Sequence, residues 1–186
     1  KSSTLYAALQ YVHNPGIKIN TLEDPIEYNF PGIMQTQVLP KIDLTFSRLL
    51  RSLLRFDPDI ILVGETRDEE PAKISFDAAQ TGHLLLSTLH TNDAASSITR
   101  LLEMGMDDYL INSTVNMAMA QRLVRLLCHQ CRQPYSPNEA QRREFQLDRY
   151  APDSELQLYH PGGCETCAGT GYLGRIAIVE MLVMTE

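Results

Sequence analysis

Residues 57–68 read DPDIILVGETRD, and this stretch limits the fold more than any other. Four consecutive apolar residues, Ile60 to Val63, run straight into Gly64 and an acidic Glu65. A short apolar run bounded by turn residues predicts a strand buried on both faces, as in a parallel sheet. Ligands of open α/β sheets bind at the carboxyl ends of the strands. A carboxylate there can organise Mg²⁺ beside a nucleotide phosphate, directly or through water. The stretch therefore has the shape of a Walker B segment; the alternative is a buried strand followed by a polar turn.

The chain opens Lys1-Ser2-Ser3-Thr4-Leu5 and reads as a helix to about His13. A P-loop ends in Gly-Lys-Ser/Thr at the mouth of a helix, after a glycine-rich turn. Lys1-Ser2 match the last two residues of that motif. On this reading the chain is expected to be cut through its own phosphate loop, with the glycines, the true N-terminus and any targeting segment upstream.

The 186 residues predict one domain or one and a half. A hydrophobic content of 44% supplies a normal core. The net charge of −7 argues against a general nucleic-acid-binding surface, which is usually basic. No apolar run approaches the roughly 18 residues of a membrane-spanning helix.

All four cysteines fall in two CxxC pairs, Cys128/Cys131 and Cys164/Cys167. Each pair can present two thiolates from a tight turn, and two pairs complete a tetrahedral Cys₄ zinc site. Four protein ligands leave no open position, so the site is expected to be structural. His129, between two ligands, reads as a bystander. Gly162, Gly163, Gly169 and Gly171 crowd the second pair and would let backbone wrap closely around a metal. The competing readings are disulfides or a redox pair, but neither CxxC opens a helix of a thioredoxin-like unit.

The rest of the chain alternates. The pattern predicts a helix over 2–13, ended by Asn14-Pro15-Gly16, and a strand over 17–22 that delivers Glu23, Asp24 and Glu27. Residues 30–44 read as irregular or hairpin-like. An amphipathic helix over 45–56 carries Arg48, Arg51 and Arg55. The strand at 60–64 and a helix at 69–80 follow. Leu84-Leu85-Leu86 reads as a buried strand, Asp93 as the cap of a helix over 94–104, and 107–126 as a long helix into the first cysteine pair. Residues 136–160 are polar and weakly patterned, and 174–183 alternate enough for a strand or two. Strand–helix–strand order argues for an α/β fold with a mainly parallel sheet.

Several stretches together resemble the secretion ATPases of the type II secretion and type IV pilus assembly family: KSSTL at 1–5, TLEDPIEY at 21–28, LTFSRLLRSLLRFDPDIILVGETRD at 44–68, TGHLLLSTLHTNDA at 81–94, QRLVRLLCHQC at 121–131 and CETCAGTGYLGRIAIVEML at 164–182. One departure is Thr66, where the family usually has isoleucine or methionine. The resemblance implies a RecA-like P-loop NTPase core over 1–126, a tetracysteine zinc subdomain over 127–173 and a segment, 174–186, returning to the core. Lys1 would sit on the ATP phosphates, Ser2 would reach Mg²⁺, and Ser3 belongs to the same loop. Glu27 is similar to the family's catalytic glutamate, with Glu23 and Asp24 as further candidates. Glu65 would lie near Mg²⁺. His83 and His90 resemble the family's His box, with His90 able to sense the terminal phosphate if the chain bends after Ser87. Arg51, Arg55 and Arg67 would meet phosphate or a subunit interface, and Arg100 and Arg175 are interface candidates.

Assembly and secretion ATPases of this type often carry such cysteines, whereas retraction ATPases typically lack them. The resemblance thus implies a homo-hexameric ATP-driven motor using ATP, Mg²⁺ and Zn²⁺, cytoplasmic and peripheral at the bacterial inner membrane, where it would meet platform and docking proteins. Its active sites would be completed by upstream domains, so the isolated chain should hydrolyse ATP poorly. A ring ATPase for DNA uptake or type IV secretion, or a non-enzymatic zinc-ribbon module, are the alternatives.

Overall fold

The computed structural model describes residues 1–149 and 156–185. The chain divides into two compact units, Lys1–Gln121 with Val179–Glu186, and Arg122–Ile178.

The first unit is built on a four-stranded parallel sheet: β1 (Ile19–Glu23), β2 (Met34–Gln37), β3 (Ile60–Val63) and β4 (Leu84–Ser87), in the order β2-β1-β3-β4. β1 and β3 are buried throughout, as the continuous apolar run at 60–63 predicts. Side chains alternate between the two faces with a period of two. Ile60 and Leu62 join Ile19 beneath α1 (Ser2–Val12), whose Tyr6 and Leu9 complete that layer. Ile61 and Val63 face the other way, against Leu50 and Leu53 of α2 (Phe46–Leu53) and Ile74 and Ala78 of α3 (Glu69–Gln80). Burying each of these aliphatic side chains contributes about 1.5–3 kcal/mol. A third cluster joins α3 to α4 (Ala95–Glu103) and α5 (Asp108–Thr114) through Phe76, Leu101, Met104 and Ile111.

The element ends follow local chemistry. α1 stops at His13, which is extended, ahead of Asn14-Pro15. Thr45 Oγ1 accepts the Arg48 N–H and caps α2. Asp93 accepts the Ser96 N–H at 2.7 Å before α4, the capping role expected of it.

Three expectations are corrected. Residues 30–44 contain β2, a strand parallel to β1 that was not expected; the hairpin-like character is confined to 39–44, where an antiparallel Leu39–Leu44 bridge closes over the 3-10 turn at Pro40–Ile42. Leu84–Leu86 is only half-buried, because β4 is an edge of the sheet: Leu84 is 43% exposed. The helix expected over 107–126 ends at Thr114, where Val115 turns extended. The chain continues as β5 (Met117–Leu127), paired with β8 (Tyr172–Val183). Met, Ala, Gln, Arg and Leu favour helix locally, but propensity is a weak preference that strand pairing overrides.

In the second unit, β6 (Gln133–Tyr135) pairs antiparallel with β7 (Leu158–His160). The weakly patterned 136–160 stretch also holds α6 (Glu139–Glu144), opened by a reciprocal Asn138–Gln141 capping box. Its residues 150–155 lie outside the described residues. Among the described residues no helix is long and apolar enough to cross a membrane.

Candidate functional site

Parallel strands point their carboxyl ends the same way, so the segments leaving β1, β3 and β4 converge. A cavity of about 210 Å³ opens at that end, lined by Lys1, Ser2, Glu23, Asp24, Glu27, Glu65 and His90 among others. The cavity meets the N-terminal end of α1, where free backbone N–H groups and the helix dipole favour an anion. Lys1 Nζ donates to the Leu89 carbonyl, so the ammonium lies beside the turn after β4. Ser2 and Ser3 are exposed in the first turn of α1; Ser2 lines the cavity.

Glu65 stands one residue beyond Gly64 at the tip of β3, its side chain 15% exposed. Its Oε2 is 2.7 Å from Arg67 Nε and 3.4 Å from His90 Nε2. The turn that places it is fixed on both sides: Thr66 N–H donates to the Thr88 carbonyl at 2.9 Å, and Thr88 Oγ1 donates to the Gly64 carbonyl at 2.8 Å. Thr66 is buried, with its hydroxyl 2.8 Å from Ser87 Oγ. Thr66 thus ties the segment after β3 to β4.

The three carboxylates after β1 differ in environment. Glu23 is buried and accepts from the hydroxyls of Tyr6 and Thr21 and from Gln35 Nε2 at 3.0 Å. Burial, and then the hydrogen bond to Glu23, push the Tyr6 hydroxyl above its usual range, so it stays a donor at neutral pH. Asp24 and Glu27 are exposed, and both line the cavity. A residue that orients water needs open access, which Glu27 has and Glu23 lacks.

Other candidates lie elsewhere. His83 sits at the start of β4, its Nδ1 2.9 Å from the Ala78 carbonyl and 3.1 Å from Thr81 Oγ1, and the structure does not bring it to His90. It lines a second, mostly apolar cavity of about 700 Å³ along β4. Arg51 pairs with Glu70 at 2.7 Å, and its guanidinium holds the Glu70 carboxyl below the usual carboxylate range. Arg55 is exposed on the 3-10 turn Leu54–Phe56. Neither arginine lines the 210 Å³ cavity. Arg100 pairs with Glu103 at 3.2 Å, and Arg175 is exposed on β8. Tyr6 and Gln35, which grip Glu23, carried no sequence signal: Tyr6 falls within the helix expected over 2–13 and Gln35 in the stretch read as irregular or hairpin-like.

In the second unit the four cysteines come together. None is in a disulfide, and their Sγ atoms all lie within 4.8 Å of one another. Cys128–Cys164 and Cys131–Cys167 are 3.8 Å apart, and Cys164–Cys167 3.7 Å. Zinc–sulfur bonds of about 2.3 Å in a tetrahedron give sulfur–sulfur separations near ~3.8 Å, so the cluster fits zinc. Backbone N–H groups of Cys164 and Gly171 point at Cys167 Sγ, at 3.3 and 3.2 Å, and bring its thiol down to about 6. Burial pushes Cys131 up to about 12, as expected of crowded thiols holding protons that a metal would displace. His129 is exposed and outside the cluster. Gly162 permits the close wrap: a Cβ there would lie 2.0 Å from the Cys131 carbonyl oxygen.

The family described as Type II/IV secretion system protein matches residues 1–186. "Type II secretion system protein E" of Dickeya dadantii is 50% identical over 186 residues, covering the whole of this chain and 36% of that protein. "Type IV pilus assembly ATPase PilB" of Thermus thermophilus is 49% identical over 189 residues, covering the whole chain and 21% of that protein. The chain thus spans about a third or less of the length of these curated relatives. Among solved structures, the pilus retraction motor PilT with bound ADP superposes with a TM-score of 0.60 at 34% identity, over 67% of this chain and 39% of that one.

Proposed function

The chain belongs to the Type II/IV secretion system protein family, and on that footing we propose that it is the ATP-hydrolysing core of a motor for type II protein secretion or type IV pilus assembly. The observation that carries this reading is the convergence of Lys1, Ser2, Glu27, Glu65 and His90 on one cavity at the carboxyl ends of the sheet.

The residues divide the work of phosphoryl transfer, which is mostly positioning and electrostatic stabilisation. Lys1 offers a point charge to the β/γ-phosphates, beside the N–H groups that open α1. Ser2 Oγ and the Glu65 carboxylate would hold Mg²⁺, which when bound neutralises charge developing on the phosphate oxygens. Glu27 orients the attacking water and accepts its proton. His90 carries the contact between Glu65 and the segment after β4, a place from which the terminal phosphate can be sensed. Asp24 remains a lesser candidate for the water, exposed on the same loop. Arg51, Arg55, Arg67, Arg100 and Arg175 are exposed, and we assign them to contacts between subunits of a homo-hexameric ring.

Cys128, Cys131, Cys164 and Cys167 would hold zinc in a closed structural site. On this reading the motor acts at the cytoplasmic face of the inner membrane, through platform and docking partners, as the family resemblance implies.

The test is ATP–Mg²⁺-dependent thermal stabilisation of the full-length protein. At a hundredfold excess over Kd, binding adds about 2.7 kcal/mol. Lys1→Ala should abolish the shift; an equal shift in the variant would overturn the assignment of the phosphate site.

A further inference from the structure

Loop 24–30, which carries Glu27, is fastened to side chains that meet on one buried carboxylate. Glu23 is 4% exposed and accepts three hydrogen bonds, from Tyr6, Thr21 and Gln35. Two of those donors reach on into the loop. The Tyr6 hydroxyl gives its one proton to Glu23 Oε2 and accepts the Glu27 N–H at 3.2 Å. Gln35 Nε2 also donates to the Tyr28 carbonyl at 2.9 Å, while Gln35 Oε1 accepts the Phe30 N–H at 2.7 Å. Three backbone groups of the loop therefore end on side chains anchored to Glu23. The Tyr6 ring is also packed by Tyr28, edge-on at 5.7 Å, and by Phe30 at 5.2 Å.

We propose that Tyr6 and Gln35, joined through Glu23, are positioning residues that hold Glu27 in register with the phosphate-binding end of α1. Tyr6 stands on the same helix that begins with Lys1 and Ser2. One rigid element thus sets the separation between the phosphate-holding groups and the carboxylate that acts on water. Glu23 is the hub of this arrangement: it is buried and held by three donors, which suits it to anchoring the loop, whereas Glu27 is exposed to the cavity. A buried carboxylate needs such donors to remain satisfied, and losing one frees the groups that depend on it. The proposal rests on the reading of Glu27 as the water-orienting residue.

The experiment uses the full-length protein with Tyr6→Phe, which keeps the ring and removes the hydroxyl, and Gln35→Leu, at a half-buried site. Amide hydrogen exchange over residues 24–30 reads the clamp without reference to catalysis. Exchange at Glu27 should quicken by about tenfold or more in Tyr6→Phe, and at Phe30 in Gln35→Leu. The kinetic arm should show kcat lowered by about tenfold or more with the affinity for a non-hydrolysable ATP analogue unchanged, since small misplacements of a reacting group cost up to ~100-fold. Combined with Glu27→Gln, Tyr6→Phe should slow the enzyme no further. Wild-type exchange over the loop in both variants, or losses that multiply in the double variant, would overturn the clamp. A wild-type kcat in Glu27→Gln would instead overturn the assignment of Glu27, and the exchange measurement would still decide the clamp.

Discussion

His90 Nε2 lies 3.4 Å from Glu65 Oε2, across the tips of the neighbouring strands β3 and β4. The same oxygen is 2.7 Å from Arg67 Nε. A single carboxylate oxygen thus joins a histidine and an arginine at the mouth of the cavity. The His90 side chain is 69% exposed, so His90→Ala should change stability by no more than about 0.5 kcal/mol. Its effect should fall on turnover, with kcat of the full-length protein reduced by about tenfold, the equivalent of about 1.4 kcal/mol of transition-state stabilisation. Steady-state kinetics beside a melting curve separates the two.

The sheet core is sensitive to volume. Leu50 of α2 is fully buried in the cluster with Leu22, Ile61 and Val63. Leu50→Ala removes buried methyl groups and leaves a cavity, at a cost of about 2–5 kcal/mol. Urea unfolding should show the midpoint falling with little change in slope.

Two glycines of the cysteine unit should respond differently. At Gly162 an added Cβ would meet the Cys131 carbonyl oxygen at 2.0 Å. At Gly169, with φ +77°, it would meet nothing within 4 Å. Gly162→Ala should displace Cys131 and lower the zinc content of purified protein well below one equivalent. Gly169→Ala carries only the left-handed backbone penalty of about 1–2 kcal/mol and should retain zinc. Metal analysis of the two variants checks the contrast, and chelation of the wild type should loosen hydrogen exchange in 122–178 before it does so in the parallel sheet.

The Arg51–Glu70 pair makes stability depend on pH in a defined direction. Its partner holds the Glu70 carboxyl below its ordinary value of 4.5. A group depressed in the folded state stabilises above its unfolded value and loses that contribution as pH falls through the folded value. Wild type should therefore melt slightly above Arg51→Ala at neutral pH, and the gap should close as pH is lowered below 4.5. Both side chains are more than half exposed, so the gap should also shrink in high salt.

The parts of the fold governed by burial were readable from residue order. Ile60–Val63 is a strand because four apolar residues between turn formers suit a position covered on both faces. The cysteine cluster was readable because paired CxxC turns have few other uses outside secreted proteins. β5 was not, because Met117–Leu127 favours helix locally and becomes strand only through β8, far along the chain. At the site, the placement of Glu27 and Glu65 in segments that follow strands was legible, but the ranking of Glu23 against Glu27 was not. That ranking depends on Tyr6 and Gln35 reaching Glu23 from a helix and a neighbouring strand, a matter of tertiary placement that local spacing does not encode. His83 and His90 share a motif yet stand at opposite ends of β4.

The most direct test is steady-state ATP hydrolysis by the full-length protein beside Glu27→Gln, at matched zinc content and oligomeric state. The account predicts that the variant binds ATP as the wild type does and loses turnover by about 10²-fold or more, as expected when a positioned base is removed. Turnover equal to wild type in Glu27→Gln would contradict it.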